Sequence, residues 1–424
     1  VTIAAVRGTR DLLPDDMAWY RVVEDTARDV FERFGYRPIR TPIFEATELF
    51  VRGVGEGTDI VEKEMYTFED RGGRSVTLRP EGTAAVARAC IEHGLVDRAG
   101  AQKLHYIGPM YRYERPQAGR YREFWQAGIE AFGVAAPAMD AEVLTCAHVL
   151  LAELGIKAFP LQLNSIGGEE RPMYVQRLRD FVRPNVSALC GKCQQRFERN
   201  PLRLFDCKTP ACRDVLAAAP KILDHLSGES QAHLAEVRRL LDRVGVPYEL
   251  NPYIVRGLDY YTRTAFEVTA EGLGSQDAIL AGGRYDGLIG QVGGRPAPGV
   301  GFAAGTDRLV LAMQAQGVRP PEPPATGVFV ATLGERGRDA AFDVTTALRR
   351  IGIASEMELN ARSLRAQMKT ADQLGARYAL LIGEDELARE AATVREMRSG
   401  TQESVPLTDV VAYLAGRINS PARS

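Results

Sequence analysis

No stretch of this 424-residue chain approaches the ~18 uninterrupted apolar residues that a membrane-spanning helix requires, although 45% of its side chains are hydrophobic. The opening VTIAAVRGTRDLLPDD becomes charged too soon for a secretory signal, so the cytoplasm is the expected compartment and no membrane partner is expected. Neither sign of charge is in excess. Lysine plus arginine number 53 against 55 acidic residues, a net charge of −2, which gives no general attraction to nucleic acid, membrane or acidic substrates. Any polyanion must be met by a local arrangement.

Cysteine is scarce as well. Six residues, at positions 90, 146, 190, 193, 207 and 212, are too few for a disulfide framework in a chain of this length. Four of them cluster as CGKC at 190–193 and CKTPAC at 207–212, which resembles a zinc knuckle because four thiolates at short spacing can form a tetrahedral site. Reduced structural thiols account for the same residues, since the second pair is widely spaced and follows an apolar LRLF run, and no metal is assigned to the functional site.

The length accommodates two or three domains. DDMAWYRVVEDTARDVFERF, from Asp15 to Phe34, spaces Trp19, Val22, Val23, Ala27, Val30, Phe31 and Phe34 as one helical face, with acids at its start and Gly35 just past its end. The prolines of YRPIRTPIFEATELF suit an edge or interface strand, and a second helix is predicted from Gly82 to His93. From about 168 to 245 the pattern becomes helical and basic, with seven arginines and lysines against two acids over 183–213, which predicts an inserted subdomain. GVRPPEPPAT at 317–326 reads as a linker between a first domain, 1–320, and a last one, 326–424. The last hundred or so residues alternate strand and helix, a small α/β domain, and no phosphate-binding glycine fingerprint follows its first strand.

The chemistry concentrates elsewhere. QKLHYIGPMYRYE and YREFWQAGIEAFG are strand-like runs joined by RPQAGR, a long hairpin. On the second run Gln126, Gly128 and Glu130 share one face, and the glycine is expected to leave room for a ligand on the sheet; Arg112 and Glu114 share a face of the partner run with Gly108 and Met110. Such polar groups are unfavourable to bury without a ligand, although a solvated sheet face explains them too. In RGLDYYTRTAFEV the alternation of an extended segment would place Tyr260 and Tyr261 on opposite sides, so that both could not fill one core. In GTDRLVLAM, Gly305 or Thr306 caps a helix with Arg308 in its first turn, where a cation opposes the helix dipole unless an anion joins it. With Arg112, Arg120 and Arg256, it provides four arginines able to surround a triphosphate.

FERFGYRPIRTPIFE, YRYERPQAGRYREFWQAGIE, RGLDYYTRTAFE, AGGRYDG and GVGFAAGTDRL occur together in this order, and the set resembles the histidyl-tRNA synthetases, a family of class II aminoacyl-tRNA synthetases, across essentially the whole chain. The departures are small: Ala265 replaces a larger β-branched residue, and Asp307 stands where glutamate is commoner. The resemblance implies an α+β catalytic domain on a mixed, mainly antiparallel sheet, the class II synthetase fold, with a helical insertion and a C-terminal α/β anticodon-binding domain. It implies a homodimer, the substrates L-histidine, ATP and tRNA(His), and the cofactor Mg2+. It also implies roles. Arg112 matches the arginine gripping the ATP α-phosphate, Arg308 the one at the γ-phosphate end, and Arg120 assists. Glu81, Thr83 and Gln126 match binders of the histidine amino group. Arg256 would lie between the histidine carboxylate and the α-phosphate with Asp259 holding it. Glu130, Tyr260, Tyr261 and Tyr285 belong to the histidine pocket, with Glu130 accepting a proton from the imidazole. Arg115 and Gln117 would meet the tRNA acceptor end. No histidine base or nucleophilic triad is found, as expected where the substrate carboxylate is itself the nucleophile.

Two other functions share these residues. A regulatory paralogue binds histidine and activates ATP phosphoribosyltransferase without charging tRNA, but such proteins usually lack the C-terminal domain and lose the motif arginines. A non-catalytic tRNA-binding module would not need the complete substrate constellation.

Overall fold

The computed structural model describes residues 3–255, 258–273, 277–319, 326–360 and 362–419. Arg256, to which the sequence assigns a central role, lies outside the described residues, as do residues 320–325 of the proline-rich stretch 317–326. The chain separates into two compact units, Val1–Pro320 and Pro321–Ser424.

The first unit is built on an eight-stranded sheet. Its order is Arg37–Pro38, Gln102–Tyr111, Glu123–Phe132, Gly299–Gly305, Ala278–Arg284, Thr262–Thr269, Leu161–Ser165 and Glu249–Leu250. The outermost pairing at each edge is parallel and the interior pairings are antiparallel. One face carries the helices Pro14–Arg33, Pro137–Glu153 and Thr306–Ala315. The first begins with Pro14 at a position that needs no amide hydrogen and with Asp16 accepting the Leu13 amide at 3.2 Å; it ends before Gly35, whose φ of +80° favours glycine. Its buried stripe of Tyr20, Val23, Ala27, Val30 and Phe31 joins Ala127, Ile129 and Ala131 of the sheet in one core. Strand alternation therefore turns Gln126, Gly128 and Glu130 to the opposite face.

That opposite face is covered at one end by the helix Thr83–Glu92 and the short helix Leu288–Gln291, and is left open at the other. A small three-stranded sheet of Phe44–Ala46, Ser75–Leu78 and Tyr66–Glu69 stands beside it. The proline-bearing run yields only the two-residue edge strand Arg37–Pro38 and the strand Phe44–Ala46, and its last residues already open a helix, Thr47–Val54. The segment between 168 and 245 is helical, from Arg171–Val182 through Gly191–Arg199 and Pro210–Leu216 to Gly228–Val244. It has no core of its own. Tyr174, Leu178, Phe197, Leu204 and Val237 belong to the hydrophobic cluster that also includes Leu144 and Phe266.

The second unit has a five-stranded sheet ordered Ser355–Met357, Val328–Thr332, Tyr378–Ile382, Ala391–Glu396 and Gln402–Pro406; the first three strands are parallel and the remaining pairings antiparallel. Val328 and Val330 face one apolar cluster and Phe329 and Ala331 another, which is why VFVAT reads as an unbroken apolar run.

Candidate active site

The open face of the large sheet forms a pocket of about 270 Å3, of the order expected for a small-molecule site. Its walls divide by chemistry. One end carries Arg112, Arg120 and Arg308 with Glu114 and Glu267, and the other carries Glu81, Thr83, Gln126, Tyr260, Tyr261 and Tyr285.

At the cationic end, the strand Gly299–Gly305 passes without a loop into the helix Thr306–Ala315, with Gly305 as the helix cap. This places Arg308 in the first turn, where its guanidinium donates to the Ala278 carbonyl at 2.7 Å. Burial, and then the charge of Arg120, lowers its pKa, so an anion here would relieve both. Arg112 donates to the Pro80 carbonyl at 2.8 Å, lies 5.3 Å from the centre of the Phe124 ring, and is 3.7 Å from Glu114. Arg120 pairs with the other oxygen of Glu114 at 2.9 Å. Asp307 also lines the pocket, and its carboxylate is held from the N-terminal side. It accepts from Arg10 at 2.6 Å and from the Tyr20 hydroxyl at 2.7 Å, joining the N-terminal helix to the residue next to Arg308.

At the other end, Glu81 caps the helix Thr83–Glu92 by accepting the amides of Thr83 and Ala84, both at 2.8 Å. Its burial raises its pKa against those hydrogen bonds. Thr83 donates to Glu130 at 2.7 Å, Tyr106 reaches the same oxygen at 3.3 Å, and Tyr285 holds the other oxygen. Glu130 is 1% exposed, and its pKa is pushed up to about 8 because burial outweighs the donation from Tyr285 and Thr83. The Gln126 amide oxygen is shielded from solvent without a hydrogen-bond partner.

Three expectations are corrected by this geometry. The space over Gly128 is not a ligand gap, because a Cβ there would lie 2.6 Å from the Tyr106 ring, which occupies it. Glu130 does not open directly onto the cavity and lies behind the hydroxyls of Thr83, Tyr106 and Tyr285. Tyr260 and Tyr261 are both buried, with ring centres 4.7 Å apart and each near Tyr285, because Asp259 and Tyr260 form a turn and the strand begins only at Thr262. Alternation does not apply to a turn. Asp259 accepts from Asn200 at 3.0 Å, and its expected partner Arg256 is outside the described residues.

Arg115 and Gln117 are exposed on the hairpin loop, where Gln117 and Arg120 bridge through their main chains at 2.9 and 3.1 Å. Sequence reasoning missed Tyr106, Tyr121, Glu267 and the anchoring role of Asp307. Tyr106 was within reach, since it continues the period of Gly108 and Met110 by one step. Asp307 was not, because its partners Arg10 and Tyr20 lie nearly 300 positions away in the chain.

Comparisons with known proteins cover nearly the whole chain. A family model described as histidyl-tRNA synthetase matches residues 8–168 and 176–309, and one described as an anticodon binding domain matches residues 327–417. The chain is 50% identical over 408 residues to a histidine–tRNA ligase of Moorella thermoacetica, covering 96% of each sequence. It is 48% identical over 410 residues to that of Halothermothrix orenii, covering 96% of this chain and 98% of the relative. The crystal structure of apo histidyl-tRNA synthetase from S. aureus superposes with a TM-score of 0.83 at 37% identity, covering 97% of this chain and all of that one.

Proposed function

This chain belongs to the histidyl-tRNA synthetase family, and from that premise we propose how its pocket carries out the ATP-dependent ligation of L-histidine to tRNA(His). The polarity of the pocket carries the proposal: cations converge at one end, and neutral hydroxyls, an amide and the buried carboxyl of Glu81 at the other. ATP lies along the cationic end, with Arg112 at the α-phosphate, Arg308 at the γ-phosphate and Arg120 beside them. Histidine lies at the other end. Its ammonium is met by Glu81, Thr83 and the unpaired oxygen of Gln126, and its imidazole by the cluster of Tyr261, Tyr260, Tyr285 and Glu130. Three of the four acceptor positions of Glu130 are occupied by hydroxyls, so Glu130 acts on the imidazole through them, fixing the orientation of Tyr285 and Thr83.

The histidine carboxylate attacks the α-phosphorus, the bond to pyrophosphate breaks, and histidyl-adenylate forms. No protein base is needed, because the nucleophile is already an anion; the protein positions the two reactants and stabilises the charge that shifts to the leaving group. Arg112 serves this at the reacting phosphorus, and the family resemblance assigns Arg256 to the same atoms. Glu114 and Glu267 offer carboxylate oxygens on the phosphate side, a donor set that suits Mg2+, which when bound with ATP neutralises phosphate charge. A terminal ribose hydroxyl of tRNA(His) then attacks the histidyl carbonyl and releases AMP, with Arg115 and Gln117 at the pocket rim contacting the acceptor end.

The C-terminal α/β unit reads the anticodon. We propose a homodimer, supported by the exposed Ile43, Phe44 and Phe68 on the small sheet and its approach. Among the described residues no helix is long and apolar enough to cross a membrane, and the proposed location is the cytoplasm. The test is exchange of labelled pyrophosphate into ATP, with charging of tRNA(His) measured in parallel. Exchange that requires histidine, together with charging, is expected; histidine binding without either would favour the regulatory reading.

A further inference from the structure

The inserted helices bring together four cysteines that the reaction does not use. Cys190 caps the helix Gly191–Arg199 and Cys193 stands in its first turn; Cys207 directly follows the turn Pro201–Asp206, and Cys212 lies in the first turn of the helix Pro210–Leu216. Three separate elements thus direct sulfur to one point, and all four sulfurs lie within 4.8 Å of one another. The Cys190 and Cys207 sulfurs are 3.9 Å apart, close to the edge of about 3.8 Å for a tetrahedron of sulfurs with zinc–sulfur bonds of about 2.3 Å. A disulfide needs about 2.05 Å, and all six cysteines are free. The Cys190 amide donates to the Cys212 sulfur at 3.2 Å, the kind of outer contact that orients a thiolate ligand and spreads its charge. Cys193 and Cys212 are fully enclosed.

We propose that Cys190, Cys193, Cys207 and Cys212 bind one zinc ion as a closed structural centre. With four protein ligands no coordination position is left for a substrate, so the ion fixes shape and takes no part in adenylate formation. What it fixes is the surface on the other side of the same turns. Arg203 pairs with Asp59 at 3.1 Å, Lys192 approaches the same carboxylate at 3.5 Å, and Asn200 donates to Asp259 beside the tyrosine pair. Short turns hold such contacts more firmly when they are cross-linked, and a metal centre supplies the cross-link in a reducing compartment where a disulfide would not last.

The experiment uses the full-length protein, expressed with added zinc and purified without chelator. Elemental analysis is expected to find about one zinc per chain, and modification of the thiols to release it. Cys193→Ser and Cys212→Ser should lower the zinc content to below roughly a tenth per chain, whereas Cys146→Ser should leave it unchanged. If the serine variants do not fold, protein produced with cobalt in place of zinc is expected to show thiolate-to-cobalt charge transfer and a tetrahedral ligand-field band. Hydrogen exchange across 190–216 should rise when a chelator strips the metal, while exchange in 326–419 stays constant. Metal-free wild-type protein after zinc-supplemented growth, zinc retained by Cys193→Ser, or a mass showing disulfides among the four cysteines would each overturn the assignment.

Discussion

Two carboxyl groups on opposite faces of the large sheet are buried to the same degree and treated in opposite ways. Asp140 is fully enclosed, and its oxygens face the Arg284 guanidinium at 3.1 Å and His233 at 3.2 Å. Burial pushes its carboxyl up, but the hydrogen bonds from His233 and Arg284 prevail and its pKa falls below the ordinary value. Glu130 receives only neutral hydroxyls and rises to about 8. Arg284 is completed by the Val134 carbonyl at 3.1 Å and Asp286 at 3.0 Å, so the Asp140 network closes within the protein. The Glu130 network opens, through Thr83 and Tyr285, onto a cavity. A buried charge matched from within is architecture, and one left to neutral donors beside a cavity is a place for a ligand.

The comparison breaks most visibly on the closed side. Asp140→Ala leaves the buried Arg284 with only Asp286 and main-chain carbonyls to answer its charge and takes the acceptor from His233, and should destabilise the first unit by about 3–5 kcal/mol in urea unfolding. On the open side, Arg112→Ala should change stability little but slow adenylate formation by about a hundredfold or more in single-turnover measurements, the scale of one lost transition-state donor; Arg256→Ala should do the same. Equal stability losses for Asp140→Ala and Arg112→Ala would erase the distinction between the two networks.

Glu130→Gln sharpens it. The variant keeps its size but puts an amide where the hydroxyls of Thr83, Tyr106 and Tyr285 find their acceptor, a buried mismatch of roughly 1–3 kcal/mol that turns the histidine-facing hydroxyls, so histidine dependence in pyrophosphate exchange should weaken about ten- to a hundredfold while ATP dependence moves far less. Equal losses for both substrates would make Glu130 a support of the sheet alone. The smallest expected effect is on pH. Because the folded-state pKa of Glu130 is raised from 4.5 to about 8, its stabilising contribution is full below about pH 4.5 and is lost as pH rises to 8. Asp140, with its pKa lowered, contributes above about pH 4 and loses that contribution on further acidification. Glu130→Gln should therefore flatten the alkaline side of the stability profile, by on the order of 2 kcal/mol at pH 9, and leave the acid side as it was.

These contrasts also mark what the sequence made legible. The N-terminal helix, the hairpin strands and the helix carrying Arg308 follow from local periodicity and caps; the structure has the helices within a residue or two of expectation, and the first hairpin strand stops at Tyr111, three residues before the run ends. Gln126 and Glu130 were legible as one strand face. What lies on that face was not, because Tyr106 enters from the neighbouring strand and its ring direction depends on a cross-strand register. The tyrosine pair was misread because an extended backbone was assumed where a turn occurs. The cysteine cluster was visible as spacing, but convergence of its sulfurs depends on three short elements packing together, which spacing alone does not encode.

The loopless passage from strand to helix at Gly305 has a kinetic consequence. Arg308, which we propose meets ATP, has its main chain fixed by sheet and helix and its side chain pinned to Ala278, so little freedom remains to be lost there on binding. Arg120 stands on the hairpin loop with 40% of its side chain exposed and its guanidinium on Glu114, so it must give up that pair and order its rotamers to meet a phosphate. On that proposal the phosphates are met on different clocks: Arg308 is ready at encounter, and Arg120 tightens beside it afterwards. It follows from the proposal that the dwell time of the nucleotide, and the moment at which pyrophosphate escapes, should respond to changes in the hairpin more than to changes around Gly305.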